Sequence, residues 1–292
     1  MKTETQVGAK EQPVLDTQAW AQPGSQDDVL LSAHRVGKAF QQGSRSLWAC
    51  RDVSFDLFPG EVLAVVGESG SGKSTLLRLL AARLPCDEGV VRYDLRQPAG
   101  SVPEGLSDLA GLSQARLRWI ARTEWGFVEQ HARDGLRMNV SGGANIGERM
   151  MALGSRHYGR LRSQALDWME RVDLDGARID DLPGTYSGGM QQRLQIARNL
   201  VTHPRLVFMD EPTTGLDVSV QARLLDLLRE LVDDLGLAAV IVTHDLAVAR
   251  LLAHRMLVMK DGRVVEQGLT DRLLDDPQDP YTQLLVSSVL TP

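Results

Sequence analysis

The sequence predicts an α/β fold built around a mostly parallel sheet. Three observations carry this expectation. Short valine-rich apolar runs recur along the chain, helix-spaced leucine patterns stand between them, and one run feeds a glycine-rich loop that opens a helix. Strands buried on both faces of a parallel sheet read as continuous apolar runs rather than alternating ones.

The elements follow in order. Residues 1–27 are rich in Gln, Thr, Gly and Asp, carry Pro13 and Pro23 and show no periodicity, so a disordered tail is expected there. Order is expected from Asp28. Val29, Leu30, Leu31 and Ala33 open a strand, and Val53, Phe55 and Leu57 alternate with Ser54, Asp56 and Phe58 in a second. Pro59-Gly60 turns the chain into Val62-Leu63-Ala64-Val65-Val66, a strand buried on both faces. Leucines at helical spacing cover residues 75–83, residues 89–93 read as a short strand, and residues 98–111 as loop. Ser113 caps a helix running to about Arg122, and residues 125–130 return to strand character. Residues 131–182 are mainly helical. Then come a helix at 189–202, a strand at 206–209, an amphipathic helix at 218–235 and a strand at 238–243. A helix at 246–253 and a hairpin turning at Asp261-Gly262 complete the pattern.

The 292 residues hold 32 Lys and Arg against 38 Asp and Glu, a net charge of −6. No broad basic field exists, which argues against nucleic acid as a partner but leaves room for local nucleotide binding. Cys50 and Cys86 are too few for a disulfide framework or a metal knuckle. No apolar run has the length of a membrane span and no signal peptide is visible, so no direct membrane span and a cytoplasmic location are expected.

Chemistry concentrates at the ends of the apolar strands. Gly67-Glu68-Ser69-Gly70-Ser71-Gly72-Lys73-Ser74 fits G-x-x-x-x-G-K-[ST] between a buried strand and a helix that continues through Thr75. Glycines let successive N–H groups curl around phosphate oxygens, and the helix adds its positive end. Lys73 offers a cation to the β- and γ-phosphates, and the Ser74 hydroxyl is a ligand for Mg²⁺. The strand at 206–209 runs into Asp210, placed to hold Mg²⁺ through water, and Glu211, placed to polarise an attacking water. His244 ends another apolar strand, where it can donate to a γ-phosphate oxygen. Gln130 ends a third, where its amide either ligates Mg²⁺ or holds the water; taken alone, a Gln there is unremarkable. Ser187 caps a helix whose first turn, Gly188-Gly189, exposes N–H groups to an anion; taken alone this is an ordinary helix start. A second Ser-Gly-Gly, at 141–143, does not precede an acidic strand and reads as a turn or contact loop.

Phosphate loop, Ser-Gly-Gly helix start, acidic strand end, Gly215-Leu216-Asp217 and strand-end His244 stand in the order found in ABC-type ATPases, which the chain resembles from about Asp28 to Leu290. Tyr186 and Met190 replace the Leu and Gln of the family's usual Leu-Ser-Gly-Gly-Gln signature. The resemblance implies a P-loop NTPase whose mostly parallel central sheet is joined by an antiparallel β subdomain and a helical subdomain. One ABC ATPase domain would span 28–292, with the helical subdomain at about 131–188 and a C-terminal extension at about 268–292. It implies hydrolysis of ATP with Mg²⁺, with Lys73, Glu211 and His244 as catalytic groups, in a head-to-tail dimer with a second ABC subunit, itself or a paralogue. Ser187, Gly188 and Gly189 would close over the nucleotide of the opposite subunit, with Asp217 across the seam. Phe40 matches the aromatic residue that stacks on adenine, where Phe serves as well as Tyr.

Within the family, two stretches point to different partners. Asp279-Pro280-Tyr281-Thr282-Gln283-Leu284-Leu285 resembles the tail of oligopeptide-importer ATPases. The stretch from Arg122 to Gly159, with the run Ser187 to Leu200, resembles the ABC ATPases of the bacterial carbon–phosphorus lyase system. The expectation is therefore an ATPase acting with the carbon–phosphorus lyase core complex in phosphonate breakdown. The rivals are a peptide or phosphonate importer ATPase and a nucleotide-sensing scaffold without turnover.

Overall fold

The structure is a computed structural model that describes residues 29–43, 45–95 and 105–289. The tail expected over residues 1–27 lies outside the described residues. A long antiparallel hairpin comes first, β1 (Leu31–Gln42) with β2 (Arg45–Leu57). It is much longer than the two short strands the sequence suggests. Register shifts between Ala33 and Ala39 break the alternation, and Arg35 takes a left-handed φ of 50°, so residues 34–40 carry no clean period of two.

The chain then passes through β3 (Val62–Val66), α1 (Lys73–Leu80), β4 (Glu88–Asp94) and β5 (Leu106–Asp108). β5 corrects the described part of the loop expected at 98–111; residues 98–104 of it lie outside the described residues. The strand is too short and too polar to show in the sequence, and exists because Arg92, Tyr93 and Asp94 of β4 pair with it. Next come α2 (Gln114–Thr123), capped by Ser113 as expected, β6 (Trp125–Val128), α3 (Ala132–Gly135), α4 (Gly142–Ala152) and α5 (Tyr158–Arg171). The second Ser-Gly-Gly is not a turn but the start of α4, with the Ser141 hydroxyl accepting from the Ala144 N–H at 3.3 Å. The remaining elements are α6 (Gly188–Leu200), β7 (Leu206–Asp210), α7 (Val218–Leu235), β8 (Ala238–Thr243) and α8 (Leu246–Leu252). β9 (Arg255–Lys260), β10 (Arg263–Leu269), α9 (Thr270–Asp275) and α10 (Pro280–Val289) close the fold.

Two sheets organise these elements. A four-stranded antiparallel sheet has the order β2-β1-β4-β5. A six-stranded sheet has the order β10-β9-β3-β8-β7-β6 and is parallel except for its β9–β10 edge. The central strands are buried throughout because both faces are covered. Leu63, Val65, Phe208, Val240 and Val242 pack with α1 and the antiparallel sheet, and Val62, Val207, Met209, Ala239 and Ile241 with the leucines of α6 and α7. Each of the buried Val, Leu, Ile, Phe and Met side chains among these contributes roughly 1.5–3 kcal/mol of hydrophobic stabilisation. Since β3, β6, β7 and β8 run parallel, their carboxyl ends share one edge of the sheet. That edge is where ligands of open α/β sheets bind.

Candidate active site

The phosphate loop leaves the carboxyl end of β3 and feeds α1. Gly67 and Gly72 take left-handed φ values of 148° and 102°. A Cβ at Gly67 would collide with the Met259 carbonyl and one at Gly72 with the Ala49 carbonyl, so glycine is required twice over. The Ser71 carbonyl accepts from the Gly262 N–H at 3.1 Å, which ties the loop to the hairpin turn between β9 and β10. Lys73, buried, donates its ammonium to the Gly67 carbonyl at 2.8 Å, the Glu68 carbonyl at 2.7 Å and the Ser71 hydroxyl at 3.5 Å. Burial lowers the Lys73 pKa, opposed by the carboxylates of Glu211, Asp210 and Glu68.

Asp210 ends β7 and is almost fully buried, and the Ser74 hydroxyl donates to its Oδ1 at 2.8 Å. Burial pushes the Asp210 pKa up, and the Ser74 bond pulls it down in part. Glu211 follows with a left-handed φ of 44°, a conformation that costs a non-glycine residue about 1–2 kcal/mol. Its N–H donates to the Val242 carbonyl at 2.8 Å, which fixes the strained turn against β8. Its carboxylate is held on both oxygens. Gln130 Nε2 donates to Oε2 at 3.1 Å, Thr214 Oγ1 to the same oxygen at 2.8 Å, and His244 Nδ1 stands 3.2 Å from Oε1. Three side chains singled out separately in the sequence therefore meet, with Thr214 as an unforeseen fourth. Gln130 lies two residues beyond the end of β6 rather than in the strand.

These groups line a cavity of about 800 Å³. Gly67, Glu68, Ser69, Gly70, Gly72, Lys73, Ser74 and Thr75 form its floor, and Gln130, Glu211 and His244 one wall. Leu47, Trp48 and Ala49 of β2, Asp261-Gly262 of the hairpin turn and Leu285 of α10 complete the lining, and of these Leu47, Trp48 and Ala49 carry no motif. Phe40 is outside this lining. It is 44% exposed on β1, where it is the cross-strand partner of Leu47, so the aromatic residue next to the cavity is Trp48.

Ser187, Gly188, Gly189 and Asp217 are also outside the cavity. Ser187 caps α6 by accepting from the Met190 N–H at 3.3 Å. Asp217 stands exposed before α7 and makes no side-chain capping bond. The two segments touch. A Cβ at Gly188 would lie 3.9 Å from Leu216, and one at Gly189 2.5 Å from Val220, so they form one face with Val218, which is 85% exposed. The altered signature is accommodated by its surroundings. Tyr186 is buried, its hydroxyl donates to the Arg178 carbonyl at 2.7 Å, and Gly142 of the second Ser-Gly-Gly leaves room for that hydroxyl. Arg178 stacks on the Tyr186 ring and donates to the Met190 sulfur at 3.6 Å.

Among the described residues, no group of three or more His, Cys, Asp and Glu side chains could hold a metal ion. Ser74 and Gln130 line the cavity with hard oxygen donors, and Asp210 stands behind Ser74, joined to it by a hydrogen bond. That sparse, all-oxygen set suits Mg²⁺, which keeps waters and completes its shell with substrate phosphates. Both cysteines are free, Cys50 buried and Cys86 partly so. Among the described residues, no helix is long and apolar enough to cross a membrane.

Comparison with known proteins agrees with this geometry. The profile of the family described as ABC transporter matches residues 50–214. Over 261 residues, 89% of this chain and 98% of the relative, the sequence is 66% identical to the putative phosphonates utilization ATP-binding protein PhnK of Escherichia coli (strain K12). It is 32% identical over 264 residues, 90% of this chain and 77% of the relative, to the dipeptide transport ATP-binding protein DppD of Bacillus subtilis (strain 168). Among solved structures, the dimeric post-hydrolysis state of the ATP-binding cassette MJ0796 bound to ADP and Pi superposes with a TM-score of 0.73. It is 28% identical and covers 82% of this chain and 99% of that one.

Proposed function

The chain belongs to the ABC transporter family, and on that footing we propose that it is the ATPase subunit acting with the carbon–phosphorus lyase core complex in organic phosphonate breakdown. Its reaction is hydrolysis of ATP to ADP and phosphate. The place in phosphonate utilisation is supported by the 66% identity to the Escherichia coli protein across almost all of that relative. The observation that carries the site reading is the convergence of Gln130, Thr214 and His244 on the Glu211 carboxylate beside the phosphate loop.

In this reading the nucleotide phosphates lie in the loop, and the Lys73 ammonium exchanges loop carbonyls for β- and γ-phosphate oxygens. Ser74, with Asp210 and Gln130, would hold Mg²⁺, which would supply charge neutralisation on the phosphate oxygens. Glu211 takes the proton of the attacking water, and Gln130 and Thr214 hold its carboxylate in place. His244 donates to the γ-phosphate. The base lies toward the hairpin wall, against Leu47 and Trp48, with Phe40 beside Leu47. Ser187, Gly188, Gly189 and Asp217 act on the nucleotide of a second subunit, which accounts for their place outside their own cavity. Domain 28–292 then works as one half of a head-to-tail pair, whose closing and opening remodel the lyase complex. The partner is met through the helical segment at about 131–188.

The importer reading draws on the dipeptide-transport relative and on the Asp279–Leu285 stretch. Affinity purification of the tagged chain from cells growing on a phosphonate separates the two. Co-elution of lyase subunits is expected. A membrane permease recovered without lyase subunits would overturn the proposal and favour the importer.

A further inference from the structure

The peptide joining Gly67 to Glu68 opens the phosphate loop. A trans peptide is planar, so its carbonyl and its N–H point in opposite directions. Here the carbonyl, Gly67 O, accepts from Lys73 Nζ at 2.8 Å. The N–H, on Glu68, donates to the Tyr281 hydroxyl at 3.0 Å. One rigid unit thus links the ammonium of Lys73 to a tyrosine from the far end of the chain.

Tyr281 is well anchored for this purpose. It is 7% exposed and belongs to the apolar cluster that holds Ala64 and Val66 of β3, the strand that feeds the loop. The Lys260 ammonium lies 4.7 Å from the ring centroid on another side. The segment entering α10 is fixed to β10 by Glu266, whose carboxylate accepts from the Gln278 N–H at 2.8 Å and the Asp279 N–H at 3.1 Å. Asp279 in turn accepts from the Tyr281 N–H at 2.8 Å. One turn further along α10, Leu285 reaches the cavity wall.

We propose that Tyr281 is a positioning residue for ATP binding: its hydroxyl holds the Gly67–Glu68 peptide in the orientation that directs the Lys73 ammonium into the phosphate loop. The C-terminal helix thereby belongs to the nucleotide site. This rests on the phosphate-loop reading of the proposed function. Without the hydroxyl the Glu68 N–H loses its partner, and the Gly67 carbonyl becomes a less fixed anchor for an ammonium that keeps the Glu68 carbonyl and the Ser71 hydroxyl. The interaction acts on phosphate that is bound in both ground and transition states, so its loss raises KM and leaves kcat in place.

The test uses the full chain as wild type, Tyr281→Phe and Lys73→Ala. Phe keeps the ring and its packing and removes only the acceptor. ATP affinity by titration calorimetry, with Mg²⁺ present, is expected to fall about fivefold in Tyr281→Phe, the worth of one ordinary hydrogen bond. KM should rise in parallel, with kcat within about twofold of wild type. Hydrogen exchange of the Glu68 amide should quicken at least about tenfold, while the protection of β8 stays unchanged. Unchanged affinity, or a fall in kcat at constant KM, would overturn the positioning role. Lys73→Ala reports on the loop separately. If that variant binds ATP as wild type does, the phosphate-loop reading fails, whatever Tyr281→Phe shows.

Discussion

At the scale of single residues, the site depends on charges that the fold holds out of water. Asp210 is the clearest case. Its pKa is raised because burial disfavours the carboxylate, and the Ser74 bond offsets this only in part. Below the ordinary value of 3.8 the folded and unfolded chains are both protonated there, and the group has no effect on stability. As pH rises above that value the unfolded chain loses the proton first, so stability falls until the folded Asp210 ionises too. Asp210→Asn, which keeps an acceptor for Ser74, should therefore melt at a higher temperature than wild type at pH 7. The gain should shrink as the pH is lowered toward 4, while ATPase activity is lost. Melting curves at the two pH values check this; an equal difference at both would refute the assignment of the cost to the Asp210 charge. Most of these residues could be read from sequence, because each ends an apolar strand. Thr214 and Tyr281 could not, since their roles come from hydrogen bonds across 3 and 213 residues that no local pattern marks.

At the scale of elements, the helix start at Ser187 would, in the proposed pair, join local stability to chemistry on another subunit. Its hydroxyl caps α6, and replacing a capping Ser by Ala typically costs about 1 kcal/mol. Ser187→Ala should lower stability by that small amount and yet reduce ATP turnover at least about tenfold. Mixing it with Lys73→Ala should restore part of the activity, because a mixed pair keeps one intact composite site. No recovery on mixing would place the Ser187 effect within its own subunit. Elements with a single clear period were legible: α7 and β8 fall where the leucine and valine patterns put them. The long β1–β2 hairpin was not, because its bulges scramble the alternation. Nor was the start of α4 within the expected helical segment, because Ser141-Gly142-Gly143 looks like a turn until Tyr186 and Ile179 are seen packed against those glycines.

At the scale of the whole molecule, half of the proposed machinery faces away from the cavity. Gln130, Glu211 and His244 converge on one side of the molecule's own phosphate loop, while Ser187, Asp217 and Val218 form an exposed face elsewhere. The proposed pair would resolve this division by bringing the exposed face of one copy to the cavity of the other. The most direct measurement is sedimentation of Glu211→Gln, which should bind ATP and Mg²⁺ without cleaving it. The account predicts a monomer without nucleotide, a doubling of mass with ATP, and return to monomer with ADP. A chain that stays monomeric with ATP bound, while wild type hydrolyses ATP at a rate independent of its own concentration, would contradict it.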